Sequence, residues 1–128
     1  LPDLAEGLKE YGYRLRQFVG MAREQGIRVV FLTHPYLWKT VMTEEEMYEL
    51  WFGCVQVEEY ICYTPEALVK GMEAYNRLVL QVCDEEQLRC IDVASKIPQT
   101  LEFFHDDVHF NEAGARKAAE VIAKGLLE

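Results

Sequence analysis

The residues of this chain best suited to chemistry lie together near its end, in Phe104-His105-Asp106-Asp107-Val108-His109-Phe110-Asn111-Glu112-Ala113-Gly114. Asp106 stands three positions before His109, so one turn of backbone can aim a carboxylate and an imidazole into the same crevice. A carboxylate bonded to one ring nitrogen fixes the tautomer and stabilises the imidazolium. The other ring nitrogen is then free to take a proton from a reacting hydroxyl.

Asn111 is placed to cap a following helix whose apolar positions, Ala115, Ala118, Ala119, Ile122 and Leu126, fall on one face. That helix anchors the loop. A metal site is the rival reading of the same segment, because His105 and His109 flank two aspartates and the set His105, Asp106 and His109 suits zinc or another borderline metal. Two histidines four apart converge when they share a helix, however, and Asn111 marks the helix as beginning after both. His105 is at best a residue at the edge of a site.

The elements that must carry this loop are legible upstream. Leu4, Leu8, Tyr11, Leu15, Phe18 and Ala22 recur at steps of three and four between a possible Asp3 cap and a Gly26 stop, which predicts an amphipathic helix. Ile27 to Thr33 is nearly continuously apolar and β-branched, as in a strand covered on both faces, and Pro35 ends it. Thr43-Glu44-Glu45-Glu46 is a capping box that opens a short helix to about Trp51. Thr64-Pro65 opens a longer helix to about Glu86, with Leu68, Met72, Tyr75, Val79 and Val82 in one stripe. Arg89 to Val93 is the second strand. This alternation predicts a parallel sheet with helices on both faces. Such a sheet has about five strands, and three are unaccounted for.

The run D-x-x-H-F-N-E-A-G from Asp106 to Gly114, followed by a helix at the end of the chain, resembles the last signature block of the SGNH/GDSL hydrolases. Gly26 to Thr33 with Pro35 looks like a core strand of that family. Ala74-Tyr75-Asn76-Arg77 and Cys90-Ile91-Asp92-Val93 look like its later helix and strand. The resemblance covers essentially the whole chain. It implies a three-layer α/β/α parallel sheet, the flavodoxin-like SGNH hydrolase fold, present only as its C-terminal part. It selects Asp106 over Asp107, which then reads as a solvated loop carboxylate, and implies that His109 and Asp106 serve an upstream serine in cleaving a carboxylic ester of a lipid or acetylated carbohydrate. A small-molecule ester is the implied partner, and no cofactor is implied.

The family's Gly-Asp-Ser and Gly-x-Asn-Asp blocks are absent. Ser95 is the only serine, set between Ala94 and Lys96 just past a strand, and the asparagines are Asn76 and Asn111. With Leu1-Pro2-Asp3 at its start, the chain reads as the C-terminal portion, 1–128, of a single domain whose N-terminal half lies elsewhere.

Composition narrows the partners. The formal net charge of -9 opposes a phosphate-tracking surface and so a nucleic-acid partner. No apolar run approaches the ~20 residues of a bilayer span. Localisation stays open, because a signal peptide would precede Leu1. Cys54, Cys62, Cys83 and Cys90 are too widely spaced for a C-x-x-C pair. Cys83 and Cys90 read as small buried hydrophobes, and Cys54 and Cys62 flank a loop that a disulfide would close in an oxidising compartment. The stretch Leu37 to Tyr63 is least like the family and reads as a lid or acyl-pocket wall. Its Tyr36-Leu37-Trp38 and Trp51-Phe52 clusters would be the interface of a non-catalytic binding module, or, as aromatics more often are, core or pocket wall. Thr33-His34-Pro35-Tyr36 leaves the carboxyl end of a strand, where parallel sheets place ligands.

Overall fold

Helix signals in the sequence become helices, and their partners decide which face is buried. The computed structural model describes residues 1–51, 53–56 and 60–128, with side chains described except at 54–56, 60 and 61. Helix α1 is Ala5–Glu24, and Gly26 stops it in the left-handed region at φ 66°, its amide bonding the Arg23 carbonyl at 3.0 Å. The buried face is rotated from the expected stripe. Gly12, Val19 and Ala22 are buried, whereas Tyr11 is 37% and Phe18 55% exposed. The cause is helix α3, Pro65–Glu86, which packs along α1. A Cβ at Gly12 would lie 3.4 Å from either methyl of Leu78, so glycine lets the two helices close on each other there. Helix α3 begins as predicted, with the Thr64 hydroxyl accepting from the Ala67 amide at 3.2 Å and Pro65 in the first turn.

Strands β1, Val30–Leu32, and β4, Arg89–Ile91, pair in parallel. Between them lie α2, Glu44–Tyr48, and an antiparallel hairpin of β2, Cys54–Gln56, and β3, Tyr60–Cys62. Cys90 turns towards α3, where it forms a disulfide with Cys83, so the expectation of two buried free thiols is corrected. Ile91 turns the other way, onto helix α4, Glu112–Leu127, where a Cβ at Gly125 would meet it at 2.9 Å. Cys62 is also disulfide-bonded, and its Cα stands opposite that of Cys54, whose side chain lies outside the described residues.

The expected three-layer α/β/α parallel sheet is not what forms. Among the described residues the chain is mostly helical, and its parallel sheet has two strands of three residues each. Three physical reasons stand behind the correction. Helix α1 packs chiefly along α3, and its described ring contact with a strand is Phe18 against Phe31, 6.2 Å between centroids. Among the described residues the strands β2 and β3 pair with each other and not with β1 or β4. The apolar run Ile27 to Thr33 is not covered on both sides, since Ile27 is 61% and Leu32 41% exposed.

The core that matters for the loop lies between β4 and α4. Leu37, Ile91, Val93, Ile97, Phe104 and Ala118 form one buried cluster, with Met42, Leu50, Phe103 and Phe110 packed around it. The predicted capping box of α2 is present, and its Glu46 carboxylate also meets Lys39 Nζ at 2.5 Å. Lys39 donates a second bond to the Gln99 carbonyl at 2.7 Å, which ties α2 to the segment leading into the loop. Among the described residues no helix is long and apolar enough to cross a membrane.

Candidate active site

The loop between the Ala94–Lys96 turn and α4 is held from both ends. Its arms meet in an antiparallel bridge between Phe104 and Phe110, whose rings lie 5.2 Å apart, and the His105 amide bonds the His109 carbonyl at 2.8 Å. Asn111 does more than cap. Its Oδ1 accepts from the Gly114 amide at 3.0 Å, as predicted, while its Nδ2 donates to the carbonyls of Leu101 at 3.0 Å and Glu102 at 2.9 Å. One side chain thus fastens the helix to the entry of the loop. Gly114 makes the fit close, since a Cβ there would lie 1.9 Å from the Phe103 carbonyl oxygen.

Within this frame Asp106 and His109 are joined. Asp106 Oδ2 lies 2.9 Å from His109 Nδ1, and Oδ1 accepts from the backbone amides of Val108 at 2.9 Å and His109 at 2.7 Å. Burial pushes the Asp106 carboxyl up, but the two amides, the His109 ring and the Trp51 indole together outweigh it and hold the pKa at about 2. The carboxylate is 14% exposed and the imidazole 64%, so the acid is sheltered and the base is presented to solvent.

Two further residues complete the site, neither of which the sequence reading had tied to His109. Trp51 lies parallel to the His109 ring, at 6.1 Å between centroids and 4° between planes. His34, at the exit of β1, has its pKa lowered, first by burial and then by the charge of His109. Asn76 from α3 holds His34 by its main chain, accepting from its amide at 2.7 Å and donating to its carbonyl at 2.9 Å. A bond of 3.0 Å from the Leu37 amide to the Asp107 carbonyl joins the β1 exit to the His109 loop. The position of His34 just past a strand end was the available signal. Trp51 had none beyond being aromatic.

The remaining candidates separate. Asp107, read as a solvated carboxylate, is fully buried. His105 is exposed, and among the described residues no three His, Cys, Asp or Glu side chains converge as a metal site, so His105, Asp106 and His109 do not form one. Ser95 donates its hydroxyl to the Asp92 carbonyl at 3.3 Å, and no described contact joins it to His109. Leu37 and Trp38 are core, and Tyr36 stacks on Trp38 at 5.5 Å. Phe52 lies outside the described residues.

What the geometry offers is an exposed imidazole bonded at Nδ1 to a sheltered carboxylate whose pKa is held at about 2. The chain matches no family model, no curated protein and no solved structure.

Proposed function

We propose that the protein is an ester hydrolase in which His109 is the general base and Asp106 its orienting acid, acting on the carboxylic ester of a small molecule. The observation that carries this reading is the 2.9 Å bond from Asp106 to His109 Nδ1, made by a carboxylate already fixed by two backbone amides. With Nδ1 engaged, Nε2 is the nitrogen left to work. It takes the proton of a hydroxyl as that oxygen bonds to the ester carbonyl carbon, and the imidazolium returns the proton to the departing alkoxide when the tetrahedral intermediate collapses. Water then repeats the sequence on the acyl group. Ser95, turned to Asp92, is a poor nucleophile for this step, and the resemblance to SGNH hydrolases assigns that role to a serine outside these residues.

The test is His109→Ala in the full-length protein with a short-chain aryl ester as substrate. The expected result is a fall in kcat/KM of about six orders of magnitude, the scale seen when the histidine of such a triad is removed. Near-normal turnover would overturn the reading. A serine-directed fluorophosphonate is expected to label a residue other than Ser95, and an adduct on Ser95 would contradict that part of it.

A further inference from the structure

The two-stranded sheet leaves the outer edge of β4 without a strand beside it among the described residues. The ladder decides which backbone groups face that edge. The Thr33 amide bonds the Ile91 carbonyl at 3.2 Å, in a register that sets Leu32 beside Ile91, so Ile91 turns its amide and carbonyl to β1. Polar groups of a parallel strand alternate between its two sides, and the amide and carbonyl of Cys90 therefore face outward. No backbone group of another described residue bonds them. That edge borders a groove of about 660 Å³, with residues 89 to 92 along one side and Lys117 and Lys124 of α4 on the facing wall.

We infer that this groove takes an extended acidic peptide segment of a partner protein, which adds to β4 as a strand and lays its carboxylates on Lys117 and Lys124. The inference does not rest on the proposed hydrolase. An unpaired edge presents donors and acceptors at strand spacing, and an extended chain satisfies them with its own backbone. Charge selects the partner. Arg89, Lys96, Lys117 and Lys124 line the groove against Asp92 and Glu128, a local excess of cations on a chain of net charge -9. The two helix lysines meet Glu120 at 3.8 Å and Glu128 at 3.6 Å on their own helix. Exposed pairs of this kind contribute little, so a partner's carboxylates displace them at small cost. Cations along a strand keep other strands off its edge, but the one on β4 itself does not stand in the way. Arg89 folds onto α4, donating to the Gly125 carbonyl at 3.2 Å and the Leu126 carbonyl at 2.7 Å. Spacing agrees. Lys117 and Lys124 lie seven residues apart on one helix face, about 10 Å along its axis, and alternate residues of a strand recur every ~7 Å on one side. Two acidic residues at alternate positions thus reach one lysine each. A second copy of the chain, acidic over the rest of its surface, would meet the repulsion that a short segment avoids.

The experiment is amide NMR with hydrogen exchange on the oxidised protein, titrated with the end-blocked peptide Val-Glu-Val-Glu-Val. The expected result is a saturable shift of the Cys90 and Lys124 amides together with slowed exchange at Cys90. The same peptide with Lys for both Glu is expected to give no saturable shift. One with Pro for the central Val, which removes a backbone donor, should bind at least about tenfold more weakly. Lys117→Glu with Lys124→Glu, both exposed side chains, should also weaken binding about tenfold, and Lys117→Arg with Lys124→Arg should retain it. No saturable shift with the acidic peptide, equal binding of the basic one, or unaltered affinity in the charge-reversed protein would overturn the site. Shifts at Lys117 and Lys124 with Cys90 exchange unchanged would put the peptide on the helix alone and overturn strand addition. Cys90 protection that rises with protein concentration in the absence of peptide would give the edge to a second copy and overturn the choice of partner. None of these readouts involves ester hydrolysis, so the groove stands or falls apart from the proposed activity.

Discussion

Replacing Asp106 by Asn tests the site through stability, independently of any substrate. The carboxyl titrates at about 2 in the folded chain against 3.8 for the unperturbed group. At 1.36 kcal/mol per unit, this difference of about 1.8 units is worth about 2.5 kcal/mol. Asp106 is only 14% exposed, so screening by solvent removes little of it. Because the folded value is the lower one, the stabilisation is fully present above pH 3.8 and disappears as pH falls through about 2. The Asp106→Asn protein would keep an oxygen for the amides of Val108 and His109 but lose the charge. Urea unfolding at a series of pH values should therefore find the variant less stable by up to about 2.5 kcal/mol at pH 7, with the gap closing towards pH 2. The other carboxylates titrate in both proteins and cancel in the difference. A gap that is absent at neutral pH, or constant down to the acid limit, would refute the account of how the carboxylate is held.

Four further outcomes follow from the same contacts. Gly114→Ala should cost about 3 kcal/mol in denaturant unfolding, since its Cβ would have to displace the Phe103 carbonyl; a loss below about 1 kcal/mol would mean that α4 is not seated on the loop. Trp51→Phe, which keeps a ring over His109 but has no indole N–H, should raise the Asp106 titration midpoint in carboxyl-carbon NMR, and an unchanged midpoint would remove the indole from the site. His34 should titrate at higher pH in a His109→Gln protein than in the native one, though burial keeps it below the ordinary histidine value; no change would separate the two imidazoles. Converting Cys83 and Cys90 together to Ala should lower stability by about 2.5 kcal/mol, the chain-entropy value for so short a loop, measured by urea unfolding against the oxidised protein.

What could be read from the sequence was local. Asp106 and His109 meet across one turn, and Asn111 caps the residue three ahead of it. The Thr43 box and the Thr64-Pro65 start are each complete within four residues. Non-local choices were hidden. The face of α1 that is buried depends on where α3 approaches, so Gly12 is inside and Phe18 outside, although periodicity favours the reverse. Apolar content marked Ile27 to Thr33 as doubly covered, but composition does not count the strands available to cover it. The hairpin after Trp51 carries no turn signal in Val57-Glu58-Glu59, which lacks Gly, Pro, Asn and Asp. Asp106 and Asp107 are chemically identical, and only the loop's backbone sends one to the imidazole and the other into the core.

The same loop would keep the proposed base aimed although it is open to solvent. At 64% exposure the His109 ring has little packing of its own. Its orientation comes from the Asp106 contact on one nitrogen and from Trp51 against one face. Both supports act on Asp106 as well, because Trp51 bonds the same carboxylate that holds the ring. With that carboxyl ionised at every pH above about 2, the tautomer of His109 is fixed throughout the range in which an ester hydrolase works. In the Asp106→Asn protein the amide can present its N–H₂ as readily as its oxygen, so it selects no tautomer, and the proposed activity should fall even where the native rate is at its plateau. An Asp106→Asn protein with the native plateau rate would leave the orientation of His109 to Trp51.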